Sequence, residues 1–350
     1  MIINQLYKRL NKYGNLDKID ECININKELK FVNKSKYIES GPFISNEIRN
    51  YINNELEYEY KIKFNYKNID INISYCCKKN KKTIKTIITR IIRRIIFMMD
   101  ISKIYKNVYI TIYDTPFKKK LPCKTKHICN KDITVNNVNT GFNYLNNIVL
   151  YRREELLKVL VHEMIHLLNI DNKIEHMMEN TSIIDNFLSL FCIENKNIFV
   201  NESYVETWAI VLDAYIKLWE KKKLNYKNYL KKIIKIKKYN CIQCAKILIY
   251  YNMMSFRELF KMNGICNKKI TNSVNVFCYH ILKLVNLYNI NNFVTNHLET
   301  NDKYVIKHGY NYNKYIEYLE TNISIIEKDI NKAIEKIKKQ KYNLSLKMSI

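Results

Sequence analysis

The sequence predicts an α+β protein, with a small twisted mixed sheet in its front half and a mostly α-helical back half. Between residues 56 and 151, short runs alternate apolar and polar residues, as half-buried strands do. After residue 152 the apolar residues recur almost throughout at helical spacing. The chain has 350 residues with only 5 Gly and 3 Pro, and so few turn-forming residues disfavour an all-β fold.

We divide the chain into three parts. Residues 1–55 are expected to be helical with loops and to contain a boundary at Gly41-Pro42. Residues 56–310 form the main domain, and residues 311–350 contain a C-terminal amphipathic helix. Hydrophobic residues make up 47% of the chain, which excludes global disorder. The first part could cover a cleft, pack as a small domain or bind a partner.

The front half of the main domain, residues 56–151, contains the predicted sheet, and its helical half covers residues 152–310. The first two strands are separated only by Lys67-Asn68, which indicates an antiparallel pair. In order, the expected elements are strands at 58–66 and 69–77, a helix at 83–100, a strand at 107–113, a basic loop from 115, and strands at 133–138 and 147–151.

A buried helix with a metal-binding pattern follows the sheet. Apart from Lys158, the polar residues between positions 156 and 168 are His162, Glu163 and His166. A helix that is apolar all round is buried, where unpartnered ionisable groups are costly. The two histidines are four residues apart, so one metal ion can bind both rings at about 2.0–2.1 Å. Glu163 lies about 100° round the helix and can face a water on that ion. This H-E-x-x-H pattern is typical of zinc hydrolases.

A third ligand has to come from another segment. The run NESYVETWAIVLDAY carries Glu202, Glu206 and Asp213 at i, i+4 and i+11, along one stripe of an otherwise apolar helix. We expect Glu202 to bind the metal, with Glu206 holding the ring of a ligating histidine and Asp213 as a further outer carboxylate. Asp171, five residues after His166, is an alternative ligand or an outer group, and Glu206 is a second alternative ligand.

HEMIH at 162–166 and ESYVE at 202–206 together resemble the gluzincin zinc metallopeptidases, above all the anthrax lethal-factor type with its E-x-x-x-E helix. The wider run 138–213 also resembles metallopeptidases encoded by large AT-rich DNA viruses, whose codon bias would match the abundance of Lys, Asn, Ile and Tyr. The resemblance implies a zincin-like fold, one Zn²⁺ per chain, Glu163 as general base and a peptide or protein substrate. Residues 1–55 and the C-terminal helix lie outside it.

The sequence departs from this pattern at the oxyanion. Lethal-factor-type enzymes carry a tyrosine shortly before the ligand glutamate, and the matching stretch ENKNIFV has none. Tyr204, Tyr279 and His280 are candidates for this role, although each could instead pack in the core. Zincins bind an extended substrate along a sheet edge, and we expect the strand at 147–151 to form part of that rim.

Two other functions fit the same residues. A zincin-fold protein without catalysis could bind a virion component or nucleic acid, and a closed site with four protein ligands would be structural. Glu163 favours the enzyme, because a structural site has no need of a carboxylate there. The 59 Lys and Arg against 33 Asp and Glu give a net charge of +26, which could bind polyanions weakly, notably through the run from Lys221. Codon drift would produce the same excess.

The ten cysteines show no disulfide-scaffold layout. Without a secretory leader or an apolar segment long enough to cross a membrane, we expect no membrane insertion and an intracellular, reducing location, host cytoplasm or virion if viral. Cys241 and Cys244 are interpreted as packing residues. Cys123, His127 and Cys129 could bind a metal but lack an evident fourth ligand.

Overall fold

The structure is a computed structural model, and it describes most of the chain. The described residues are 2–23, 30–33, 38, 42–78, 83–122, 132–144, 147–171, 181–194, 198–271, 275–301, 303–309, 311–339 and 344–350. The candidate metal residues Cys123, His127 and Cys129 lie outside them.

The described chain is α+β, as predicted, with a six-stranded mixed sheet in the order β1-β2-β3-β4-β6-β5. The central strands β3, β4 and β6 are parallel, and the other neighbours are antiparallel. The strands are β1 (Lys30–Asn33), β2 (Tyr58–Tyr66), β3 (Ile69–Cys77), β4 (Val108–Tyr113), β5 (Gly141–Tyr144) and β6 (Asn147–Leu150). A short parallel pair, β7 (Ile193–Glu194) and β8 (Ile270–Thr271), lies among the later helices.

Helices make up most of the remainder. They are α1 (Ile2–Tyr13), α2 (Leu16–Cys22), α3 (Asn46–Glu55), α4 (Ile84–Ser102), α5 (Val135–Val138), α6 (Leu156–Leu167), α7 (Thr181–Ser189), α8 (Asn201–Glu220), α9 (Tyr226–Tyr250), α10 (Lys283–Tyr288), α11 (Ile290–His297), α12 (Tyr312–Asn322) and α13 (Glu327–Lys339). A π-helical turn, Phe277–Leu282, precedes α10, and 3-10 turns occupy Phe256–Leu259 and Ile323–Ile326.

The front of the sheet follows the predicted pattern. Lys67 and Asn68 both have positive φ, at 50° and 63°, as a tight hairpin turn between β2 and β3 requires. The chain then crosses through α4 and returns as β4, parallel to β3. Parallel strands need such a helical crossover. The predicted strands at 58–66, 69–77 and 107–113 and the helix at 83–100 are therefore confirmed.

The far edge of the sheet differs from expectation. The segment 133–138, expected as a strand, is a helical turn, in which the side chain of Asn137 accepts from the Thr134 N–H at 2.8 Å. The chain then forms β5, which pairs with β6. The prediction that the strand at 147–151 forms the rim is wrong, because β6 lies between β4 and β5. The edge strand is β5, and a Cβ at Gly141 would lie 2.7 Å from the Val149 carbonyl oxygen.

Both ends of the chain pack on this body. Strand β1 was not expected in the first 55 residues, whereas α1 buries Leu6 and Leu10 in the main core. We expected a single C-terminal helix. The structure instead has two helices, α12 and α13, which are separated by the 3-10 turn Ile323–Ile326. Residues 344–350 then run back to the start of α6, where Glu155 accepts the backbone N–H of Met348 at 3.0 Å.

The helical back half is confirmed, and no helix among the described residues is long and apolar enough to cross a membrane. Cys192 and Cys266 form a disulfide, so the expected reducing location is not supported. The other described cysteines are free, and Cys241 and Cys244 are buried in α9 as packing residues. The Cys244 thiol lies 2.8 Å from the carbonyl oxygen of His280.

Candidate metal centre

Helix α6 carries the H-E-x-x-H pattern through the interior of the protein. It packs against α4 and α8, against the edge strand β5 and against its neighbour β6. His162 is 7% exposed and Glu163 is 6% exposed, while the apolar residues on the other faces are buried except the half-buried Leu157. The apolar faces fix the helix in the core, so the orientation of the two histidines is set by packing rather than by a loop.

Three donor atoms from α6 and α8 meet at one point. His162 Nε2 and His166 Nε2 are 3.3 Å apart, and Glu202 Oε2 lies 3.2 Å from the first and 3.8 Å from the second. A tetrahedral ion with ligands at 2.0–2.1 Å holds each pair of donors about 3.3 Å apart. The Glu202 oxygen is buried and makes no hydrogen bond within the described part of the chain. Two sides of the triangle are close to this spacing and the side from His166 to Glu202 is longer, so the three atoms could hold one small metal ion, and the carboxylate oxygen is unsatisfied.

Each histidine is held from behind by a second carboxylate. His162 Nδ1 lies 3.1 Å from Glu206 Oε2, and His166 Nδ1 lies 2.7 Å from Asp171 Oδ2. An Nδ1–H that donates to a carboxylate leaves the Nε2 lone pair free for a metal. Glu206 and Asp171, the alternative ligands, therefore contact the nitrogens that face away from the donor triangle.

The charges at the site favour a bound cation. Burial alone would raise the pKa of Glu202, but the adjacent rings of His162 and His166 outweigh it and lower that pKa well below its usual range. Burial alone would lower the pKa of both histidines, whereas the carboxylates around them raise it. Carboxylates that stabilise a proton on each ring also stabilise a metal ion in its place.

Glu163 is separate from the triangle and faces a small cleft of about 40 Å³ next to the metal centre. Burial raises the pKa of Glu163 and is partly opposed by the two histidines. The cleft is lined by Lys119, Val138, Asn139, Thr140, Gly141, Lys158, Val159, His162, Glu163, Glu206, Tyr279 and Met348. It thus lies between the motif helix, the edge strand β5 and the π-helical turn that carries Tyr279.

The three oxyanion candidates have different surroundings. The Tyr279 ring centroid lies 6.2 Å from that of His162, and its side chain lines the cleft. Tyr204 instead packs in the core, with its ring centroid 4.9 Å from that of His297. His280 is fully buried and does not line the cleft. The structure therefore brings Tyr279 to the site and places Tyr204 and His280 elsewhere.

Asp213, expected as an outer carboxylate of the metal centre, serves another part of the core. Its Oδ1 lies 3.1 Å from Arg94 Nη2, and its Oδ2 lies 2.9 Å from Lys217 Nζ. Eleven residues of helix place it about 16 Å along the axis from Glu202. That prediction is wrong. Asp213 lies on the same face of the helix as Glu202, but it is too far along the axis to contact the metal ligands.

Sequence reasoning missed the lysines of the cleft. Lys158 and Lys119 are each 2% exposed, and they pair with Glu206 at 2.7 Å and with Glu155 at 3.1 Å. The sequence did contain a signal for Lys158. A lysine in an otherwise apolar, buried helix needs a buried partner of opposite charge. Nothing local distinguishes Lys119 from its neighbours in the run FKKKL.

Comparison with protein-family models, with curated proteins and with solved structures gave no match.

Proposed function

We propose that the protein is a zinc-dependent metallopeptidase with a zincin-like fold. The observation that carries the proposal is the triangle of His162, His166 and Glu202, with each ring backed by a carboxylate and with Glu163 beside it in a cleft. Two imidazole nitrogens and one carboxylate oxygen are a donor set that catalytic zinc prefers, and three protein ligands leave a fourth position open. Among the described residues no fourth His, Cys, Asp or Glu joins the cluster, which argues against a closed structural site.

When bound, zinc would act as a Lewis acid and lower the pKa of a bound water towards 7. Glu163 accepts the proton of the attacking water and passes it to the leaving amine. Its position in the cleft and its raised pKa both suit a base that must also release the proton. Burial, together with Glu202 and Glu163, raises the pKa of Tyr279 well above its usual value. Its hydroxyl therefore keeps its proton and can donate to the oxyanion.

The edge strand β5 supports a peptide as substrate. Thr140 and Gly141 line the cleft next to His162, and β5 pairs with β6 on its other side. An extended peptide can add to such an edge through main-chain hydrogen bonds, which bring affinity with little dependence on sequence. The substrate rim that we propose is therefore β5.

Zinc content and hydrolysis test the proposal together. We expect one zinc per chain by elemental analysis, and its loss in His162→Ala and Glu202→Ala. Glu163→Gln should keep the zinc but lose cleavage of a mixed peptide library, which makes it the matched inactive control. A protein that neither contains nor takes up zinc, or a Glu163→Gln variant with full activity, contradicts the proposal.

One observation favours a second function, binding of a polyanion. Helix α9 (Tyr226–Tyr250) contains seven lysines and no acidic residue. Burial, and then the like charges of Lys217 and Lys221, lower the pKa of Lys232. Clustered positive charge of this kind binds polyanions in a salt-dependent manner. Titration with duplex DNA at two salt concentrations tests it, and binding that does not weaken with salt contradicts it.

A further inference from the structure

The cleft beside the metal centre has a cationic end. Lys119 and Lys158 line it together with His162 and Glu163, and both lysines are 2% exposed. Lys158 precedes His162 by four residues, which places it one turn, about 6 Å, along the helix axis. An extended chain advances about 3.3–3.6 Å per residue. A residue next to the bond that is cut can therefore bring its side chain to this end.

Three buried amines and two buried carboxylates form the ion pairs at this end, and Glu163 lies at the other end of the same cleft. Lys158 Nζ lies 2.7 and 2.9 Å from the two oxygens of Glu206, and Lys119 Nζ lies 3.1 Å from Glu155. Lys283 Nζ is also buried, lies 3.8 Å from Glu206, and has no hydrogen-bond partner in the described ranges. Three amines thus share two carboxylates. Burial lowers the pKa of Lys119 despite the charge of Glu155, so one carboxylate does not offset the cost of burying the ammonium.

We propose, building on the peptidase function above, that the cleft selects a substrate with a carboxylate on the residue next to the scissile bond. Lys119 and Lys158 bind that carboxylate. An ammonium has three donors, and Lys119 uses one of them on Glu155. Lys158 directs two donors to Glu206, and its Nζ also lies 4.0 Å from Met348 Sδ. Most of the free donors therefore belong to Lys119. A neutral amide can accept from these donors but does not compensate the buried positive charge, and an apolar side chain leaves the donors unmatched, so a carboxylate is preferred over both.

The remaining lining suits a glutamate. Val138, Val159 and Met348 provide apolar surface beside the two lysines, against which side-chain methylene groups can pack. The same carboxylate chemistry occurs at the C-terminal end of a peptide, so the cleft could recognise an acidic side chain or a chain end. Separate ligands distinguish these two sources.

Hydroxamate ligands test the inference without cleavage, because they anchor on the zinc of the loaded protein. One series of ligands carries the variable side chain before the hydroxamate, and a second series carries it after. Within each series, calorimetry compares the dissociation constant of the Glu ligand with that of the ligand with its neutral isostere Gln. We expect the Glu ligand of one series to bind at least about tenfold more tightly than the Gln ligand. A third pair, with a free or an amidated C-terminus, reports recognition of a chain end in the same way.

Two variants separate the cleft from the general positive charge of the protein. Lys119→Met should reduce the preference for the carboxylate below about threefold, whereas Lys328→Met, a change at an exposed lysine on α13, should leave it unchanged. Equal binding of charged and neutral ligands in all three pairs on wild-type protein overturns the inference, even if Lys119→Met does not fold. An equal loss in both variants also overturns it. Absence of zinc is the separate failure of the proposed function, and it is measured first.

Discussion

Replacing Lys158 with methionine should show what the buried ion pair on the motif helix contributes to stability. The ammonium lies 2.7 and 2.9 Å from the two oxygens of Glu206, which is itself 1% exposed. Without Lys158 that carboxylate keeps the ring of His162 at 3.1 Å and the amine of Lys283 at 3.8 Å. Removal of one partner of a buried pair costs about 3–5 kcal/mol, because the other charge remains buried.

This loss converts into a change in melting temperature. An unfolding entropy of about 2.1 cal/mol/K per residue, taken over 350 residues, amounts to about 0.7 kcal/mol/K. The variant should therefore melt about 4–7 °C below the wild type. Circular dichroism on protein freed of metal with EDTA measures this shift, because loss of zinc affinity then does not contribute.

A double variant provides the internal control. Lys158→Met combined with Glu206→Gln leaves neither charge of the pair buried, so it should melt above the single variant. Lys231→Met removes an exposed lysine and should stay within about 1 °C of the wild type. A Lys158→Met protein that also melts within about 1 °C of the wild type, or a double variant no more stable than the single one, refutes this account of the pair.

Three further predictions concern the site and its surroundings. Asp171→Asn should weaken zinc binding about 10–100-fold in a chelator competition, because the His166 ring loses its carboxylate, and the exposed Asp185→Asn should not. Tyr279→Phe should lower kcat about 100- to 1000-fold at unchanged zinc content, and an unchanged kcat removes it from the mechanism. Burial raises the pKa of Glu155, but Lys119 and Lys158 outweigh burial and lower this pKa from an ordinary 4.5 to about 2. The ionised Glu155 therefore stabilises the folded protein fully above pH 4.5, and this contribution is lost as the pH falls towards 2. Urea unfolding across this range should show a shallower pH dependence in Glu155→Gln, and an identical slope counts against the assignment.

Local patterns were sufficient for much of the fold. The alternation of β2 and β3, the two-residue turn at Lys67-Asn68 and the apolar helix α4 follow from residues close together in the chain. The spacing of His162 and His166 belongs to the same class, because a helix places residues four apart on one face whatever packs around it. Such features depend on backbone geometry alone, so they are visible in the sequence.

The partners of these residues were decided by packing over long distances. The strand order makes β5 rather than β6 the edge of the sheet, with a tight approach at Gly141, and no periodicity contains that information. Glu206 and Asp213 lie on the same predicted stripe, yet one reaches His162 and the other pairs with Arg94. Likewise, Lys119 comes to the cleft only through the fold. A side chain's chemistry depends on what surrounds it when buried, and those neighbours come from segments far apart in the chain.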